Sequence, residues 1–197
     1  MMKNQASHKV MQPKIVNDLL SQNDYQMLYD HLLSMDKSSK VYEDSFGRHL
    51  IWDDTLNKAA IDITETARII FDSPTLKPSY TLFVHYYGDQ AKLKRHYDDN
   101  ACTYTLDMCL YQTKSWDIGV NHDGVDSMYT LQPNQALAFY GNDQEHWRND
   151  FNGNKEDYVG MIFFHFVEPD HWFFTKSPRY IEVVSGRMTE EEWKKLD

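Results

Sequence analysis

The chain has 197 residues, enough for one domain with a sizeable core. Its hydrophobic content of 41% and aromatic content of 14% are globular and exclude a disordered chain. The formal net charge of −10, with no Lys/Arg cluster to reverse it locally, argues against a nucleic-acid partner but leaves room for a small cationic substrate.

No stretch approaches the roughly 18 consecutive apolar residues that a spanning helix needs, so no membrane partner is expected. Met1 to Lys9 is polar and lacks the apolar centre of a secretory signal. The two cysteines, Cys102 and Cys109, do not have a zinc spacing. On one strand their odd separation puts them on opposite faces, about 23 Å apart, too far for a disulfide. Free buried thiols suit a reducing compartment, and a cytoplasmic location is expected.

Residues 1–13 read as a frayed start, and Ile15, Val16, Leu19 and Leu20 as a short apolar patch with strand character. Ser21 and Asp24 resemble a capping box, followed by Tyr25, Leu28, Tyr29, Leu32 and Leu33 at helical spacing, which predicts a helix over 22–35. Residues 36–52 read as irregular. Asp53, Asp54 and Thr55 can cap a second helix whose stripe runs from Leu56 to Phe71, ended by Pro74 and Pro78.

From Tyr80 the period changes. Tyr80–Tyr87 reads as a strand, and 101–112 as a long strand with Cys102, Tyr104, Leu106, Met108 and Leu110 on its apolar face. Residues 113–126 read as a polar connection. Ser127–Leu131 and Gln135–Tyr140 predict short strands hinged at Pro133-Asn134, and Tyr158–Val167, apolar on both faces, predicts a central strand. Thr189 followed by Glu190–Glu192 predicts a short final helix. Helices first and strands afterwards, without βαβ alternation, predict an α+β fold: a double-stranded β-helix, or jelly roll, with supporting N-terminal helices. The expected organisation is a single domain over 1–197, with helical support at 14–72, the jelly-roll core at 80–167 and a C-terminal extension at 168–197.

The chemistry centres on His96-Tyr97-Asp98. Side chains two apart on a strand share a face, so the imidazole and the carboxylate can reach one metal ion. A third ligand would complete a 2-His-1-carboxylate set with open positions. The pair alone is not diagnostic, since 9 His and 30 Asp+Glu produce roughly one such pair by chance. The third ligand must come from a later strand. His146 lies 48 residues beyond Asp98, with several strands between.

In that order and spacing, Leu93–Asp98, Cys102–Leu106, Trp116–Val120, Leu131–Ala136, Glu145–Arg148 and Phe163–Val167 together resemble the 2-oxoglutarate- and Fe(II)-dependent dioxygenases of the prolyl-4-hydroxylase-like kind. The resemblance runs from Tyr80 to Val167. It implies Fe(II) held by His96, Asp98 and His146, with 2-oxoglutarate and O2 as co-substrates and succinate and CO2 as products. It further implies hydroxylation of a C–H bond, because halogenating relatives lack a carboxylate at the place of Asp98. The substrate would be an amino acid, a peptide or protein side chain, or a small metabolite.

The far carboxylate of 2-oxoglutarate needs a cation, and two residues are candidates. Arg148 follows His146 by two, about 6–7 Å along a strand and facing the same way. Lys155 resembles the basic residue that many such enzymes carry at the start of the last strand. Arg148 can bind a carboxylate bidentately and Lys155 cannot. The alternatives in other classes are a cupin-type metal barrel, such as an isomerase or another dioxygenase, and a non-catalytic ligand-binding barrel. Arg48, His49 and Trp52 could line a substrate mouth or merely pack on the barrel. His165 reads as a hydrogen-bonded core histidine.

Overall fold

The structure is a computed structural model and describes residues 10–35, 42–44 and 46–174. The final helix expected from Thr189 lies outside these residues. So do most of the frayed start and part of the 36–52 segment.

Helix α1 spans Gln22–Ser34 as the pattern predicts, with the Ser21 side chain accepting a hydrogen bond from the Asp24 N–H. The second stripe forms two helices rather than one, α2 (Asp54–Asp62) and α3 (Thr64–Phe71). The chain bends at Ile63, and the Thr64 hydroxyl returns to the Ala60 carbonyl at 2.8 Å. Such back-bonding bends helices. The bend leaves Leu56, Ala59 and Ala60 as well as Ala67 and Phe71 buried.

The described residues contain eleven strands, in order of sequence: β1 (Lys14–Val16), β2 (Tyr42–Asp44), β3 (Arg48–Ile51), β4 (Lys77–Tyr87), β5 (Leu93–His96), β6 (Tyr104–Gln112), β7 (Ile118–His122), β8 (Val125–Tyr129), β9 (Ala136–Phe139), β10 (His146–Arg148) and β11 (Tyr158–Val167). A larger sheet has the order β1-β9-β6-β11-β4-β3-β2, and a smaller one β5-β10-β7-β8. From β4 onward the chain passes back and forth between the two sheets, the path of a double-stranded β-helix.

Three strands were not legible. β2 and β3 fall where an irregular segment was expected, and β7 occupies the expected polar connection. β7 buries Ile118 and Val120 and pairs with β8 across Asp123-Gly124, both at positive φ (51° and 80°) as a tight hairpin turn requires. Cys102 sits in a 3-10 turn (Asn100–Cys102) rather than on the long strand, which begins at Tyr104. Both cysteines are free and buried.

The faces of β6 explain where the site sits. Leu106, Met108 and Leu110 pack with Leu28, Leu32, Leu56 and Ala60 of the helices. Cys109, on the opposite face, packs with Ile118 and Val120 of the smaller sheet. The apolar face seen in the sequence is thus the helix-facing one. The more polar face of Thr105, Asp107 and Cys109 looks into the space between the sheets.

Asn134 joins the N-terminal segment to the barrel. Its side chain accepts from the Leu20 N–H and donates to the Leu20 carbonyl, both at 3.0 Å, and its backbone is left-handed at φ 64°. Asn tolerates that conformation better than most residues. Asn134→Ala should lower stability by about 2–4 kcal/mol, because two buried backbone groups lose their partners. Chemical denaturation checks this; a change below roughly 0.5 kcal/mol, the size of an ordinary surface substitution, would contradict it.

Candidate active site

His96 closes β5 and His146 opens β10, and the two are direct partners in the antiparallel ladder. Their ring centroids are 4.2 Å apart. Asp98 follows β5, where its N–H donates to the Gly141 carbonyl at 2.9 Å. Its Oδ1 lies 3.4 Å from His96 Nε2 and 3.5 Å from His146 Nε2. Two ligands at right angles on one ion, each about 2.1 Å from it, are about 3 Å apart. The three side chains therefore need only small adjustments to share a metal.

Backbone carbonyls set the tautomers. His96 Nδ1 is 2.9 Å from the Lys94 carbonyl and 3.1 Å from that of His146, and His146 Nδ1 is 3.0 Å from the Gln144 carbonyl. A carbonyl only accepts, so each Nδ1 carries the hydrogen and each Nε2 keeps its lone pair for a metal. Burial opposes ionisation of Asp98, yet in the metal-free site Nε2–H donation from His146 and His96, when these rings are protonated, holds its carboxyl well below the usual carboxylate range. Burial lowers the pKa of His146, but the bond to Asp98 outweighs it and the net shift is upward. One carboxylate and two imidazoles converging in this way form a group that could hold a divalent metal ion.

Gly141 matters as much as the ligands, and nothing in the sequence marks it. A Cβ there would meet Asp98 Oδ2 at 2.5 Å, the Cys102 carbonyl at 2.6 Å and Thr105 Oγ1 at 2.6 Å. Gly141→Ala should displace the Asp98 carboxylate and weaken Ni(II) binding at least tenfold while circular dichroism stays unchanged. Unaltered affinity would mean that Asp98 is not held by this contact.

Asp98, Cys102 and His165 form a second close group. Burial and the charge of Asp98 raise the Cys102 thiol well above its usual range. His165 is buried, and its Nδ1 lies 3.1 Å from the Tyr80 carbonyl. It is the hydrogen-bonded core histidine expected, though it also faces the cavity.

That cavity, about 320 Å³, opens over the ligands. Trp52, Tyr80, Leu82 and Phe163 form much of its wall, and Arg48, Asp99 and Asp107 are its charged groups beyond the ligand set. Arg48 and Trp52, which the sequence leaves open between a substrate mouth and packing on the barrel, both line the cavity. The sequence marks Asp107 only as a single acid in an otherwise apolar central strand. Burial pushes its carboxyl up to about 7.

Of the two candidate cations, Arg148 is buried and Lys155 is exposed in the turn before β11. Neither is among the residues that line the cavity. The Arg148 guanidinium lies 5.1 Å from the Trp116 ring centroid, donates to the Trp116 carbonyl at 2.7 Å and reaches the Met161 sulfur at 3.7 Å. Its Nε has no partner, and no carboxylate pairs with it among the described residues.

The two sheets and the His-Asp-His group between them define a class: the fold is that of the 2-oxoglutarate- and Fe(II)-dependent oxygenases, in its prolyl-4-hydroxylase-like form. The sequence matches no protein-family model and no curated protein. Among solved structures, the chain is similar to a prolyl hydroxylase from Trichoplax adhaerens in complex with a hypoxia inducible factor peptide, with TM-score 0.60 and 11% identity over 78% of this chain and 83% of that one. It is similar to HygX from Streptomyces hygroscopicus with nickel and 2-oxoglutarate bound, with TM-score 0.60 and 10% identity over 80% and 83% of the two chains. It is also similar to a Pseudomonas putida prolyl-4-hydroxylase, with TM-score 0.59 and 14% identity over 78% and 91%.

Proposed function

We propose that the protein is an Fe(II)- and 2-oxoglutarate-dependent oxygenase that hydroxylates a C–H bond of an amino acid, a peptide or protein side chain, or a small metabolite. The observation that supports this beyond the fold is the His96-Asp98-His146 group, with Arg148 buried two residues further along the same strand. A guanidinium buried without an anion is costly. One placed two residues along the strand from a metal ligand is suited to the far carboxylate of a short dicarboxylic acid.

Fe(II) would be held by His96, Asp98 and His146, and with 2-oxoglutarate it supplies O2 activation, yielding succinate, CO2 and hydroxylated product. The chain's own residues do the rest. The Lys94 and Gln144 carbonyls fix the imidazoles, and the Phe139 ring supports His146 edge-on at 4.8 Å. Trp52, Leu82 and Phe163 keep water from the reacting carbon. Arg148 orients the co-substrate by a charge-assisted bond. The cupin-type alternative usually needs three or more histidines, and among the described residues the group of His96, Asp98 and His146 contains no further one.

The test is anaerobic: Fe(II) and then 2-oxoglutarate are added while the visible spectrum is followed. A weak charge-transfer band, with succinate formed on admitting O2, is the expected result. Absence of both would remove the proposal.

A further inference from the structure

We infer that Asp107 is the specificity-determining residue of this cavity, taking a cationic amino or guanidino group of the substrate. The inference rests on the oxygenase reading and names the substrate class of that site.

Asp107 stands at the centre of β6, between β9 and β11 and opposite Phe163, on the sheet that faces His96 and His146. It is 4% exposed and lines the cavity. Among the described residues its carboxyl has no hydrogen-bond partner and no cation within ion-pair reach. Burial acts on it most strongly, followed by the charges of His146, Asp98, Arg148 and His96. A buried carboxyl without partners is costly unless a ligand supplies them. A structural acid would be tied to the backbone, as Asp99 is to the Ala101 N–H at 2.8 Å. Asp107 is not tied.

A neutral substrate would leave a carboxyl facing apolar walls, whereas a cation pairs with it and ionises it fully. The aromatic walls Trp52, Tyr80 and Phe163 suit the same ligand, because ring faces attract ammonium and guanidinium groups. The volume of about 320 Å³, at the small end for ligand sites, suits a small amine or a single basic side chain.

The probes are n-butylammonium and the uncharged 1-butanol, titrated by NMR into the protein loaded with Ni(II), with and without 2-oxoglutarate. The ammonium should bind at least tenfold more tightly than the alcohol. Asp107→Asn should abolish that preference while Ni(II) affinity stays the same. Equal binding of the two probes to the wild type, or a preference that survives in Asp107→Asn, would overturn the assignment. The wild-type comparison decides even if the variant does not fold. Failure of 2-oxoglutarate to bind the nickel form would strike the oxygenase reading instead, and the probe comparison without 2-oxoglutarate separates the two failures.

Discussion

Alanine at His96, Asp98 or His146 is expected to abolish the charge-transfer band and to lower Fe(II) or Ni(II) affinity by at least a hundredfold. The size follows from the geometry. The three ligand atoms lie within 4.8 Å of one another, and each loss leaves two donors. His146→Ala should be the most severe, because His146 is buried and directly opposite His96 in the ladder, so no neighbouring donor or water replaces it easily. Asp98→Ala has a second consequence. It removes negative charge from between the two imidazoles, so His146 loses the interaction that raises its pKa. Product mass with and without chloride is a further check: wild type should hydroxylate only, since Asp98 as a ligand would take the position that a halide would need. Calorimetric metal titration of the three variants decides the triad, and wild-type affinity in all three would end it.

The second large effect concerns the co-substrate. Arg148→Ala should raise the 2-oxoglutarate dissociation constant about tenfold to a hundredfold, the worth of a charged hydrogen bond of roughly 1.5–3 kcal/mol. Lys155→Ala should change little, since that side chain is exposed in the turn before β11. Arg48→Ala is the informative comparison, because Arg48 lines the cavity and sits 3.5 Å from the buried Tyr86 hydroxyl. A large effect there with none at Arg148 would move the co-substrate to the other side of the cavity. Binding to the nickel form, read without turnover, separates affinity from catalysis.

The elements whose pattern has one period were legible in the sequence: α1, the central strands β6 and β11, and the overall order of helices before strands. The candidate group His96, Asp98 and His146, which the fold brings within 4.8 Å, was legible because two of its members are two residues apart and the third follows several strands later. What escaped depends on tertiary neighbours. The α2–α3 bend comes from a single threonine hydroxyl. β3 has little alternation of its own and exists because β4 offers an edge, with Arg48 opposite Tyr86 and Leu50 opposite Val84. Asp107 looked like the polar side of a half-exposed strand. Only the second sheet, stacked over that face, turns it into a buried acid in a cavity. Gly141 carries no pattern, since its role is the space that a side chain would fill.

The pairing of His96 with His146 also bears on how the chain folds. The two ligands are neighbours only through ladder bonds, across a stretch of chain that includes β6, β7, β8 and β9. Closing so long a loop is entropically slow, and contacts of that range form late. No fragment ending before β10 can hold the full ligand set. Metal affinity at this group would therefore be acquired only near completion of the barrel, and bound metal should slow unfolding far more than it speeds refolding.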